Sequence, residues 1–150
     1  MIALFKCAVA LLFVTVASSA MAFNDRDKVK DHLEFLGYTV SQRDNGSLRA
    51  THKSDLDISV KEFQGGILVT SYFSGKGFSS TQRPQVLDII NKMNVDAIAV
   101  RYYLDSDADL IIEGYYGGDY ARPQFATFID KFKKAREQII ATPGLADYFK

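Results

Sequence analysis

The sequence predicts an α+β domain, an antiparallel sheet of about five strands with helices packed on one face, in the order α-β-β-β-α-β-β-α. Three observations predict it. Apolar residues recur at helical spacing in three separate segments. Between those segments they alternate with polar residues at every second position, as strands require. The alternating runs are joined by short turn-forming stretches, which link antiparallel neighbours and are too short for parallel crossovers.

The first helix opens near Asn24, a good N-cap, with Asp25 and Asp27 in a first turn that favours negative charge. Val29, Leu33 and Leu36 share one face, His32 lies on the same side, and Gly37 stands where a left-handed cap belongs. From Tyr38 the period becomes two. Asp44-Asn45-Gly46 turns the chain between residues 38–43 and 47–53. Leu56, Ile58 and Val60 then alternate with Asp57, Ser59 and Lys61, the pattern of a strand wetted on one face. Gly65-Gly66 closes a hairpin onto residues 67–73, and a tight loop there puts Ile58 and Val60 on the face of Val69 and Phe73. This block holds three or four strands.

Gly75-Lys76-Gly77 interrupts the pattern. Pro84 fits only within a first helical turn, so the second helix starts near Thr81, with Ser80 and Thr81 as caps. Val86, Ile89, Ile90 and Met93 form its stripe, and Asn94 ends it. A second hairpin runs through residues 97–104 and 110–116 around Asp105-Ser106-Asp107-Ala108-Asp109, and Gly117-Gly118 breaks it. The last helix opens at Pro123, carries Phe125, Phe128, Ile129, Phe132 and Ile139, and stops at Thr142-Pro143-Gly144. The residues beyond it, through Lys150, are expected to be loosely held.

Residues 1–22 have the three parts of a secretory signal peptide. Lys6 precedes the apolar run from Cys7 to Val16, small residues follow, and Ala20-Met21-Ala22 suits a signal peptidase. The run is shorter than the roughly 20 residues that span a bilayer. Cleavage after Ala22 leaves residues 23–150 as a single domain, periplasmic or secreted, with no stable membrane anchor. The sole cysteine, Cys7, leaves with the leader, so neither disulfides nor thiol chemistry serve the mature chain. Lys6 is the one charged residue of the leader. The 18 basic and 18 acidic residues of the whole chain therefore become 17 and 18, a net charge of −1. That intermixed balance argues against nucleic acid as a partner.

The residues that could carry chemistry are few. Asp105, Asp107 and Asp109 have the spacing of the first ligands of a calcium loop, but Leu110 stands where its glycine belongs and Tyr116 where its glutamate belongs. Aspartates also favour turns for their own geometry, which is the expectation here. His32 and His52 show no metal-ligand spacing, and no serine sits in a nucleophile elbow. Phe73-Ser74-Gly75-Lys76-Gly77 follows a strand and precedes a helix, yet lacks the length and ending of a phosphate-binding loop. A non-enzyme without cofactor or metal is expected.

The aromatic content, at 13%, is the informative excess. Pairing Leu104 with Leu110 across the second turn puts Ile98, Val100, Tyr102 and Leu104 on a core face with Leu110, Ile112 and Tyr116. The opposite face then carries Tyr103, Ile111, Ala99 and Tyr115 around a cross-strand Arg101–Glu113 pair. A surface meant only for water needs no two tyrosines and an isoleucine, and aromatic residues beside an arginine are the composition of an interface centre. Either a partner covers this face, or the carboxy-terminal tail with Tyr148 and Phe149 folds over it.

The run from Val100 to Glu113, followed by a glycine break and a long amphipathic helix, resembles the YbjN family. Its usual hairpin turn is of the Asp-x-Asp-Gly type, and Ala108 here replaces the glycine. The resemblance implies a fold like that of type III secretion chaperones and a non-enzymatic sensory-transduction regulator. It carries no active-site residues. Together these expectations describe an exported protein-interaction module, as a homodimer or with another protein, using the sheet edge or the face of Tyr103, Arg101, Tyr115, Ile111 and Glu113. The alternative is a small-ligand carrier, or an inhibitor of an envelope hydrolase that inserts the loop of residues 74–78 into its target.

Overall fold

The computed structural model describes residues 25–149. The leader, its cleavage point and the Asn24 cap lie outside the described residues. The first helix, α1 (Arg26–Phe35), buries Val29, His32 and Leu33. It closes in a Schellman motif, in which Gly37 N–H donates to Glu34 O and Tyr38 N–H to Leu33 O, both at 3.0 Å. Gly37 sits at φ +91°, and a side chain there would also crowd His52 Nε2 at 3.1 Å.

The first strand block contains four strands, the higher of the two counts its sequence allows: β1 (Thr39–Gln42), β2 (Leu48–Thr51), β3 (Ile58–Phe63) and β4 (Gly66–Phe73). After α2 (Arg83–Asp96) come β5 (Arg101–Leu104), β6 (Leu110–Tyr116) and α3 (Arg122–Ala141), with a short 3-10 turn at Leu145–Asp147. The six strands form one antiparallel sheet in the order β1-β2-β3-β4-β6-β5.

The β3–β4 loop is Gln64-Gly65, one residue earlier than expected, with φ of 49° and 75°. Both central residues of this tight turn are left-handed, the twist that suits antiparallel strands. Moving the loop by one residue moves each cross-strand partner by two, so inward residues stay inward. Val60 pairs with Val69, and Ile58 shares their face.

One face of the sheet meets all three helices. Leu48, Ala50, Val60, Val69, Leu110 and Ile112 pack with Leu33 of α1, Ile90 of α2 and Phe132 of α3 in a single buried cluster. Burying a side chain of this size contributes about 2 kcal/mol. Gly114 breaks the inward row of β6, and the reason is steric. A Cβ there would lie 3.0 Å from Phe128 Cζ and 3.1 Å from Phe132 Cδ2, so the missing side chain is where α3 settles onto the sheet.

Three expectations are corrected. Helix α2 runs past Asn94 to Asp96, and Asn94 has another task, described below. Residues 97–100 do not join β5, and Ile98, expected in the core, is 96% exposed. The tail is not loose. Leu145 is fully buried and Phe149 is 5% exposed; Phe149 bridges to Gly75, and Phe78 meets both Tyr148 and Phe149 edge-on. Aromatic side chains docked in the core outweigh the fraying expected of a chain end. The tail seals the helix side of the molecule, since Phe149 joins the buried cluster there.

Candidate interaction surface

The hairpin of β5 and β6 has the register inferred from its sequence, with Leu104 opposite Leu110, Tyr103 opposite Ile111 and Arg101 opposite Glu113. The alternation of a pleated sheet then carries Tyr103, Arg101, Ile111, Glu113 and Tyr115 to the face that no helix among the described residues covers. Arg101 Nε donates to Glu113 Oε1 at 2.8 Å, and Nη2 meets the same oxygen. Tyr103 donates its hydroxyl proton to Glu113 Oε2 at 3.3 Å, while the Arg101 guanidinium lies 5.3 Å from the Tyr103 ring centre. Burial, then the Glu113 charge, raises the Tyr103 pKa, so this phenol stays a donor. Tyr115 donates to Gln64 O at 3.1 Å and stands edge-on to Phe63.

The pairing of β4 with β6 extends this surface beyond the second hairpin. Tyr72 lies opposite Ile111, Thr70 opposite Glu113 and Leu68 opposite Tyr115. Through β3 and β2 it continues to Ser59, Lys61 and Arg49. Tyr72 is 62% and Tyr115 46% exposed, whereas Leu68, between Tyr115 and Lys61, is buried. Two shallow hollows flank Glu113. One, of about 340 Å³, is bounded by Arg49, Lys61, Tyr72 and Tyr103; the other, of about 390 Å³, by Phe63, Tyr115, Ile98 and Arg101. The residues from β2, β3 and β4 escaped the sequence reading because nothing local says that β4 pairs with β6. Their signal was present in the outward positions of Ser59, Lys61 and Tyr72, which fall into register only once the strand order is known.

The other residues with chemical potential are occupied by structure. Asp105 Oδ1 accepts the amides of Asp107 and Asp109 at 3.0 and 2.9 Å, and Asp109 Oδ1 accepts that of Gly75 at 2.8 Å. The acidic turn thus serves its own backbone, as an aspartate turn does. Lys76 donates through Nζ to Ala146 O at 2.7 Å and through its amide to Tyr148 O at 2.8 Å, so the glycine-lysine loop fastens the tail. Those contacts also hold residues 74–78 against the body of the protein, unlike a free inhibitory finger. His32 Nδ1 meets Tyr120 Oη at 2.9 Å beneath α3, and His52 Nδ1 accepts the Ser54 amide at 3.2 Å. Among the described residues no three His, Cys, Asp or Glu side chains converge to hold a metal ion, and no helix is long and apolar enough to cross a membrane.

A six-stranded antiparallel sheet with the described helices on one face defines an α+β fold. Solved structures similar to it in fold include YbjN of E. coli, a proposed transcription regulator, with a TM-score of 0.65 at 14% identity over 83% of this chain and 94% of that one. A chain of the heterodimeric ExoU–SpcU complex, from the type III secretion system of Pseudomonas aeruginosa, superposes with a TM-score of 0.50 at 15% identity, covering 73% of this chain and 93% of that one. The Yersinia pestis type III secretion chaperone SycH, in complex with a fragment of YscM2, gives 0.50 at 16% identity, over 75% and 97%. No family model and no curated protein matches the sequence. At these identities the likeness is one of fold.

Proposed function

We propose that this protein is an exported, non-enzymatic protein-interaction module, acting as an envelope regulator in the periplasm or outside the cell. The observation that carries the proposal is the uncovered sheet face, where Tyr72, Tyr103, Ile111 and Tyr115 form an aromatic and aliphatic surface around one arginine–glutamate pair. Such composition marks the energetic centre of protein interfaces. The neighbours support a protein partner, because SycH and the ExoU–SpcU pair are described in complexes with proteins. Export rests on residues 1–22.

Two measurements on protein recovered from cells test this. Replacing Tyr103 and Tyr115 by Ser is expected to abolish partner capture from a periplasmic extract, or to shift the sedimentation of a homodimer to that of a monomer. Unchanged capture and unchanged mass reject the surface. Terminal sequencing of the same protein is expected to begin at Phe23, and intact Met1 on material confined to the cytosol rejects export.

A further inference from the structure

We infer that the uncovered sheet face takes an acidic segment of its partner that carries an aromatic anchor, with carboxylates over β2 and β3 and the anchor over β4 and β6. This rests on the proposed interaction role and names the chemistry of its partner. Charge is the first support. The chain has equal numbers of basic and acidic residues, yet this face is not balanced. Arg49 and Lys61 make no ion pair among the described residues, and the Arg43 guanidinium reaches only Ser59 Oγ, at 3.4 Å. The two carboxylates nearby are engaged. Glu113 holds Arg101 and Tyr103, and Asp57 Oδ1 accepts the His52 amide at 3.1 Å. Arg43, Arg49 and Lys61 therefore border one hollow without an ion pair among the described residues, and they outnumber Asp57, the one carboxylate lining it that holds no cation.

Shape is the second support. The row Arg49, Ser59, Thr70, Glu113 runs straight across four neighbouring strands. Small hydroxyl side chains floor its middle, and taller ones flank it, Tyr72 and Ile111 on one side and Lys61 and Tyr115 on the other. The result is a trough crossing the sheet, cationic at its β2 end and closed at its β6 end by the Arg101–Glu113 pair, with Tyr103, Ile111 and Tyr115 around it. Strands lie about 4.8 Å apart, so the two ends of this row, Arg49 on β2 and Glu113 on β6, are separated by roughly 14 Å. An extended chain advances about 3.3 Å per residue, which places the partner's acidic residues some four positions from its aromatic anchor.

Fluorescence anisotropy with labelled synthetic peptides tests the inference directly. The probes are twelve-residue peptides bearing three Asp or Glu residues four positions ahead of a Phe-Leu pair. Controls carry Gln and Asn in place of the acids, or Ser in place of Phe. At low salt the acidic aromatic peptide is expected to bind about tenfold more tightly than its amide control, the sum for three exposed charge contacts, and to lose that advantage at high salt. The double variant R49E/K61E is expected to abolish the preference and to favour the same peptide with Lys for its acids; circular dichroism confirms that it is folded. Equal binding of the amide control, an unaltered preference in R49E/K61E, or equally tight binding of a single-stranded oligonucleotide each overturns the acidic-peptide assignment. The wider reading fails separately. If Tyr103→Ser/Tyr115→Ser leaves native partner capture intact, the face itself is wrong, whereas loss of capture there with R49E/K61E indifferent removes only the acidic partner.

Discussion

Ala108 occupies the left-handed region at φ +64°, where an L side chain crowds its own backbone. The turn imposes this conformation. Asp105 accepts the amides of Asp107 and Asp109 while its own amide donates to Asp109 O, and closing that ring leaves position 108 no other angle. Left-handed geometry costs an alanine about 1–2 kcal/mol, and glycine loses roughly half of that again through its freer unfolded chain. Ala108→Gly is therefore expected to stabilise the fold by about 1 kcal/mol. Urea denaturation checks this, and an unchanged midpoint would refute the strain. Gly75 is the complementary case. A Cβ there would meet Ala108 O at 2.6 Å, so the bare backbone is what lets the loop after β4 approach the acidic turn.

At the scale of the element, the edge strand β5 shows how an exposed row of backbone groups is managed. Asn94, in the last turn of α2, turns its amide onto Tyr102. Its Nδ2 donates to Tyr102 O and its Oδ1 accepts from Tyr102 N–H, both at 2.9 Å. A side chain thus stands in for the next strand. Tyr102 is locked from its other end as well, its phenol donating at 2.8 Å to Gln138 Oε1, and burial pushes its pKa up to about 12. Asn94→Ala leaves the two backbone groups of Tyr102 without partners, at a cost of about 2 kcal/mol. It also opens an edge for pairing with other chains. The expected result is a lower midpoint in denaturant together with concentration-dependent light scattering. A variant as stable and monodisperse as the parent would show that Asn94 is incidental.

At the scale of the whole molecule, α1 meets the segment that leads into α3 through a contact that titrates. His32, on α1, is 3% exposed; it bonds Tyr120 and stands edge-on to Phe125 of α3. Asp25 Oδ2 accepts the Tyr120 amide beside it, at 3.0 Å. Burial first, and the Arg122 charge second, hold the His32 pKa below its ordinary value of 6.5. The folded state therefore prefers neutral imidazole, and the unfolded chain binds the additional proton. The stabilisation is complete above pH 6.5 and is lost as pH falls from there through the folded pKa. Melting temperatures measured between pH 7.5 and 5 are expected to decline over this window, and His32→Asn is expected to flatten the decline. A flat profile in the parent protein would exclude the mechanism.

Much of this architecture was legible in the chain because its causes are local. Periodicities of 3.6 and 2 located three helices and both strand blocks, Gly37 marked a helix end, and the acidic turn set the register that carries Arg101 to Glu113. From that register the five residues of the second hairpin could be assigned to one face. Local pattern failed where distant contacts decide. Ile98 has a core-like spacing but lies outside β5, Asn94 has the chemistry of a helix stop but serves a strand, and the tail's aromatics are buried by a loop far along the chain. Local pattern was enough for the fold class, the hairpin register and the aromatic excess of the outer face. That β4 joins β6, and with it that Arg49, Lys61 and Tyr72 share a surface with Tyr103, emerges only in the assembled sheet. Pairing between distant strands is selected by the total burial of the assembled sheet, a quantity no short stretch of sequence contains.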